Sequence, residues 1–290
     1  MQAEDGLRLR VGHWPAEGAR GTVLIFPGRT EYIEKYGRDA TSLADRGYAT
    51  AAVDWRGQGL ADRLLDDPGI GHVGKFTDYQ ADVRAMLAYA EAQALPRPWY
   101  LLAHSMGGCI GLRALAEGLP VGAAAFSGPM WGVAIPMLLA PLTGPIIALS
   151  RFLGRGNHGI PGQPQETYVL RAGFDGNLLT SDPDMFGYMK RQLQARPELA
   201  LGPPSAHWLA EALAETQALT AAPPPDARCV TFVGSEERIV SVKAIRSVMS
   251  RWPGGDLVMI EGGRHEVLME TPARREVVFD RLARHFGPAR

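Results

Sequence analysis

The chain of 290 residues is longer than one minimal core needs, and with 46% hydrophobic and 21% charged residues it fits a single α/β domain carrying an insertion. Gly 34 and Pro 22 stay within the range of ordinary soluble chains, which excludes disorder, collagen and coiled coil. Lys+Arg 30 against Asp+Glu 31 leave a net charge of -1 with no basic run, so nucleic acid is excluded as a partner.

The start, Met1-Gln2-Ala3-Glu4-Asp5-Gly6, carries acids where an export signal would carry base and then an apolar run. The protein is therefore expected in the cytoplasm, where Cys109 and Cys229, both in apolar surroundings, read as reduced core thiols. Strands are predicted at Thr22–Phe26, Ala49–Val53, Trp99–Ala103, Ala123–Phe126, Cys229–Val233 and Leu257–Ile260, because these short apolar runs end at Gly, Pro or Asp. Helical periodicity falls between them, at Glu34–Arg46, Asp78–Gln93, Met106–Glu117, Val242–Arg251 and Pro272–Phe286. This alternation predicts an α/β fold with a mostly parallel central sheet and helices on both faces.

The alternation breaks between about Pro129 and Pro225, an interval too long for a loop. It contains a helical pattern at Ser205–Leu219, and Pro223-Pro224-Pro225 would return the chain to the sheet. We therefore expect residues 1–128 and 226–290 to form the core and 129–225 an inserted helical lid over the strands' carboxyl ends. Residues 118–150 hold no charged side chain, but Pro120, Pro129, Pro136, Pro141 and Pro145 would break backbone hydrogen bonds that lipid cannot replace. Burial or peripheral membrane contact is expected there rather than a span.

The sharpest signal is Trp99-Tyr100-Leu101-Leu102-Ala103-His104-Ser105-Met106-Gly107-Gly108, a strand that runs through a serine into a helix. Such a nucleophile elbow strains the serine backbone so that Oγ projects above the sheet, and it needs small residues two positions either side. Ala103 and Gly107 meet that need, although the usual pattern has Gly at the first position. Ser105 needs an imidazole to take its proton, and His265, just past the last predicted strand, is the candidate base. His104 should point away from the elbow and make structural hydrogen bonds, while His13, His72, His158, His207 and His285 read as surface or packing residues.

A carboxylate must orient that base, and the order Ser, acid, His places it between the lid and His265. The loop Gly234-Ser235-Glu236-Glu237 after the Cys229–Val233 strand offers both glutamates. For the oxyanion, backbone N–H groups are expected from Met106, at the helix start after the nucleophile, and from Arg29, in the turn Phe26-Pro27-Gly28-Arg29-Thr30. The Arg29 side chain reads as a solvated arginine, with a phosphate head group as the alternative.

Together these blocks resemble the α/β-hydrolase superfamily, and more closely its bacterial lysophospholipase and monoacylglycerol lipase branch of serine aminopeptidase-like hydrolases. Gly28-Arg29-Thr30-Glu31-Tyr32-Ile33-Glu34-Lys35-Tyr36 and Asp54-Trp55-Arg56-Gly57-Gln58-Gly59 look like that branch's fixed blocks. Relatives usually show Gly-x-x-Asp, which singles out Glu237 three past Gly234 and leaves Glu236 as the alternative. They also carry His-Gly where Pro27-Gly28 stands, and proline has no N–H to give. The resemblance implies attack of Ser105 on an ester carbonyl, an acyl-enzyme and hydrolysis, with no metal or organic cofactor. It implies a small-molecule ester or lipid substrate, and the apolar composition of the lid makes Met130, Trp131, Ile135 and Leu138 candidate substrate-binding residues, with packing of the lid against the core as the alternative. Asp at position 105 would be needed for a dehalogenase or epoxide hydrolase, so these are excluded. A peptidase remains as the alternative, because Glu166, Asp175, Asp182 and Asp184 could hold a substrate amine; a binding module on the same scaffold is a third reading.

Overall fold

A computed structural model describes residues 1–134, 140–160 and 162–287, and of residues 140–142 and 151 only the backbone. Its strands are β1 (Arg10–Trp14), β2 (Thr22–Phe26), β3 (Ala49–Asp54), β4 (Trp99–His104), β5 (Ala124–Ser127), β6 (Cys229–Gly234) and β7 (Asp256–Ile260). Its helices are α1 (Gly37–Ala44), α2 (Tyr79–Ala92), α3 (Met106–Ala116), α4 (Ala140–Phe152), α5 (Tyr168–Arg171), α6 (Pro183–Ala195), α7 (Ala206–Ala221), α8 (Val242–Met249) and α9 (Pro272–Phe286). The strands form one sheet in the order β1-β3-β2-β4-β5-β6-β7, antiparallel only where β1 meets β3.

The continuous apolarity of the central strands has the cause expected from it, namely burial on both faces. Leu24, Phe26, Leu101 and Ala103 face a layer built from Val83 and Met86 of α2, Ile110 of α3 and Ile245 of α8. The alternate residues Val23, Ile25, Tyr100 and Leu102 face Leu43 of α1 and Val278, Phe279 and Leu282 of α9. At about 1.5 to 3 kcal/mol for each fully buried side chain of this kind, the two layers hold the sheet edges that carry the loops in place.

Two departures from the sequence reading stand out. β1 was not foreseen, because RVGHW is half-buried throughout and mixes polar with apolar residues. The stretch predicted as one helix from Glu34 begins as a 3₁₀ turn over Ile33–Tyr36 before α1. Among the described residues, the helices α4 to α7 lie between β5 and β6, in the long interval. Among the described residues no helix is long and apolar enough to cross a membrane.

Candidate active site

Ser105 sits between β4 and α3 with φ 49 and ψ -116, a left-handed region that L-residues seldom occupy. Neighbouring steric demands explain the flanking residues. A Cβ at Gly107 would stand 2.0 Å from the Phe26 carbonyl oxygen, so no side chain fits there. On the other side Ala103 is accommodated in place of glycine because α3 presents Gly111 to it, where a Cβ would approach that of Ala103 to 3.2 Å. The departure at position 103 is thus compensated one turn into the helix.

The loops after β6 and β7 bring two more side chains to the serine. Ser105 Oγ donates to His265 Nε2 at 2.9 Å, and His265 Nδ1 donates to Glu237 Oε2 at 2.7 Å. The other Glu237 oxygen accepts the N–H groups of Ile239 at 2.6 Å and Val240 at 3.1 Å. Burial alone would raise this carboxyl, yet His265 and those two amides hold it below the ordinary carboxylate range. Glu236 is exposed and, among the described residues, its side chain reaches only Arg264, at 3.8 Å. Of the two glutamates, Glu237 is the one in line with the imidazole.

The triad residues Ser105 and His265 open on a cavity of about 330 Å³ that Arg29, Thr30, Leu178, Leu179, Met189 and Leu193 also line. Met106 opens α3 directly after the serine and is fully buried. Trp131 and Met130 lie elsewhere, because Trp131 donates to the Gly108 carbonyl at 3.0 Å and stacks among Phe126 and Trp252, deep in the core. Ile135 and Leu138 lie outside the described residues. None of Glu166, Asp175, Asp182 and Asp184 lines the cavity. Asp182 caps α6 through the Met185 amide and Asp184 pairs with Arg38.

One constellation at this site was missed by the sequence reading. Glu31, Lys35, Tyr36, His104 and Glu266 are buried together beneath the cavity. Lys35 Nζ pairs with Glu266 at 2.7 Å and also with Glu31, which accepts from the Gly28 amide and the Tyr36 hydroxyl. His104 Nδ1 contacts the Ser127 carbonyl at 2.9 Å. Burial would lower the His104 imidazole, but Glu266 and Glu31 raise it above its ordinary value; burial would raise Glu266, but His104 and Lys35 hold it well below. Three of these atoms cluster closely enough to suggest a metal site, but Lys35 already fills the cationic position among Glu31, His104 and Glu266. The available signals were the Glu31 and Lys35 spacing and a second acid directly after His265.

The parallel sheet, the elbow serine and the imidazole–carboxylate pair define an α/β-hydrolase. The chain belongs to the family described as serine aminopeptidase, S33, which it matches over residues 17–272. It is 30% identical to lysophospholipase L2 of Escherichia coli over 98% of this chain and 87% of that protein. It is 28% identical to a probable lysophospholipase L2 of Haemophilus influenzae over 96% of this chain and 88% of that one. In fold it resembles a soluble variant of monoglyceride lipase from Saccharomyces cerevisiae, with TM-score 0.74, 22% identity and coverage of 98% and 94% of the two chains. A carboxyl esterase from Bacillus coagulans gives TM-score 0.75 at 15% identity, covering 98% and 95%.

Proposed function

We propose that the protein is a serine hydrolase that cleaves carboxylic esters of the lysophospholipid or monoacylglycerol type. The observation that carries this is the continuous hydrogen-bonded line from Ser105 through His265 to Glu237 at the wall of a largely apolar cavity. His265 Nε2 takes the Ser105 proton as Oγ bonds to the ester carbonyl carbon, and the imidazolium is stabilised by Glu237. The oxyanion is met by the backbone N–H groups of Met106 and Arg29. Collapse expels the alcohol with the proton from Nε2, leaving an acyl-serine. Water then gives its proton to His265 and hydrolyses the acyl group, restoring Ser105.

Helices α5 and α6 act as the lid over this site, since Met189 and Leu193 of α6 and Val169 of α5 share the cavity with Ser105. Lipid is favoured over a peptide with a free amine because, among the described residues, the acids at the cavity, Glu31 and Glu266, are already paired with Lys35. Contact with the inner face of a membrane fits the exposed apolar side chains Leu149 and Phe152 on α4 and Leu153 just after it.

A fluorophosphonate probe should label Ser105, and Ser105→Ala should abolish labelling and reduce hydrolysis of a panel of lysophospholipids, monoacylglycerols and simple esters by at least about 10³-fold. Retained ester turnover in that variant overturns the assignment, as does preference for amino-acyl amides over every ester in the panel.

A further inference from the structure

The charged side chains around the cavity are unequally matched. Glu31 and Glu266 are each paired with Lys35, as described above. Arg29, which lines the same cavity as Ser105, has no acidic partner among the described residues. Of the five N–H donors that a guanidinium carries, one has an acceptor there: Nη1 donates to the Gly202 carbonyl at 2.9 Å. The group lies 5.7 Å from the Trp208 ring centroid, a cation–π contact that adds no acceptor. Its other nitrogens have no acceptor among the described residues and are not among the polar atoms sealed away without partners. Burial pushes the guanidinium down to about 10, which leaves it charged at neutral pH.

A cation held half-buried on a carbonyl and an indole, with its planar fork open, calls for an anion that can accept two parallel hydrogen bonds. The glycerol hydroxyls of a monoacylglycerol carry no charge. A lysophospholipid places a phosphodiester monoanion on the glycerol, a few bonds from the ester that Ser105 would attack. We propose that the Arg29 side chain is a headgroup subsite that receives the phosphodiester of a lysophospholipid, while its backbone N–H serves the oxyanion. The inference rests on the ester-hydrolase reading and narrows its substrate class.

The test compares kcat/KM for lysophosphatidylglycerol with that for the monoacylglycerol of the same acyl chain, in the wild type, Arg29→Gln and Arg29→Lys. Dividing one by the other cancels any shared effect on the oxyanion turn. The ratio should fall about 10- to 100-fold in Arg29→Gln and by less in Arg29→Lys, which keeps the charge but not the fork. Fluorophosphonate labelling of Ser105 in each variant establishes that the pocket is intact. Equal loss on both lipids overturns the subsite. A wild type that cleaves the monoacylglycerol but not the lysophospholipid overturns it while leaving the ester reading standing, and one that cleaves neither overturns both. Inhibition by inorganic phosphate as strong as that by glycerophosphoglycerol identifies a free-anion site and overturns the headgroup assignment.

Discussion

His104 Nε2 lies 3.2 Å from Glu266 Oε2, which ties the residue before Ser105 to the residue after His265. Lys35 extends the tie to Glu31, and Glu31 holds the Gly28 amide in the turn after β2. Three loops from β2, β4 and β7 are thereby braced by one buried set of charges. Removing one partner from such a set leaves an uncompensated charge, which typically costs about 3 to 5 kcal/mol.

The brace sets a pH dependence of stability with two limbs. Glu266 is held below its ordinary value of 4.5, so its contribution is complete above that value and is lost as pH falls through the lower folded value. His104 is raised above 6.5, so its contribution is complete below that value and is lost as pH rises through the higher folded value. The extra melting temperature of the wild type over Glu266→Gln should therefore be greatest between about pH 4.5 and 6.5 and shrink on both sides. Thermal melts across pH check this, and a difference that stays constant from about pH 3 to 9 contradicts it.

The two adjacent glutamates should respond very differently to amidation. Glu237→Gln can offer an amide N–H to Nδ1, favouring the tautomer that leaves Nε2 protonated and unable to accept from Ser105. A loss in kcat of about 10³- to 10⁴-fold is expected, with little change in folding. Glu236→Gln should alter kcat less than about twofold, since an exposed pair of this kind is worth little. Steady-state kinetics of the two variants on one soluble ester decide between them.

Leu149, at 57% exposure, and Phe152, at 86%, recur at helical spacing on α4. Replacing both with Asp should weaken sedimentation with phosphatidylglycerol vesicles by about tenfold or more, given the apolar area each would bury in lipid. Turnover of a soluble short-chain ester should not change, because neither residue lines the Ser105 cavity. Unaltered vesicle binding would exclude this helix as the contact face.

The meeting of Ser105, His265 and the Glu236-Glu237 loop was legible in the sequence because each follows a strand that reads clearly on its own, and parallel strands deliver their following loops to one edge of the sheet; the choice of Glu237 came from the resemblance. β1 was hidden because an edge strand half open to solvent has no continuous apolar run. Composition leaves Met130 and Trp131 open to two readings, substrate lining or packing against the core, and only the Gly108 carbonyl that accepts from Trp131 favours the second. The brace was unreadable for a related reason. Lys35 and Glu266 are far apart in the chain, and a charged residue in a sequence reads as solvated until its partner is seen beside it.

The positive φ of Ser105 has a cost outside catalysis. Holding a serine there takes about 1 to 3 kcal/mol from the rest of the fold, and the surrounding packing has to make up the difference. Glycine would rest in the same turn without penalty and without a hydroxyl. Selection for heat resistance and selection for turnover therefore pull this one position in opposite directions, and a chain that keeps serine here melts below the limit its own scaffold allows.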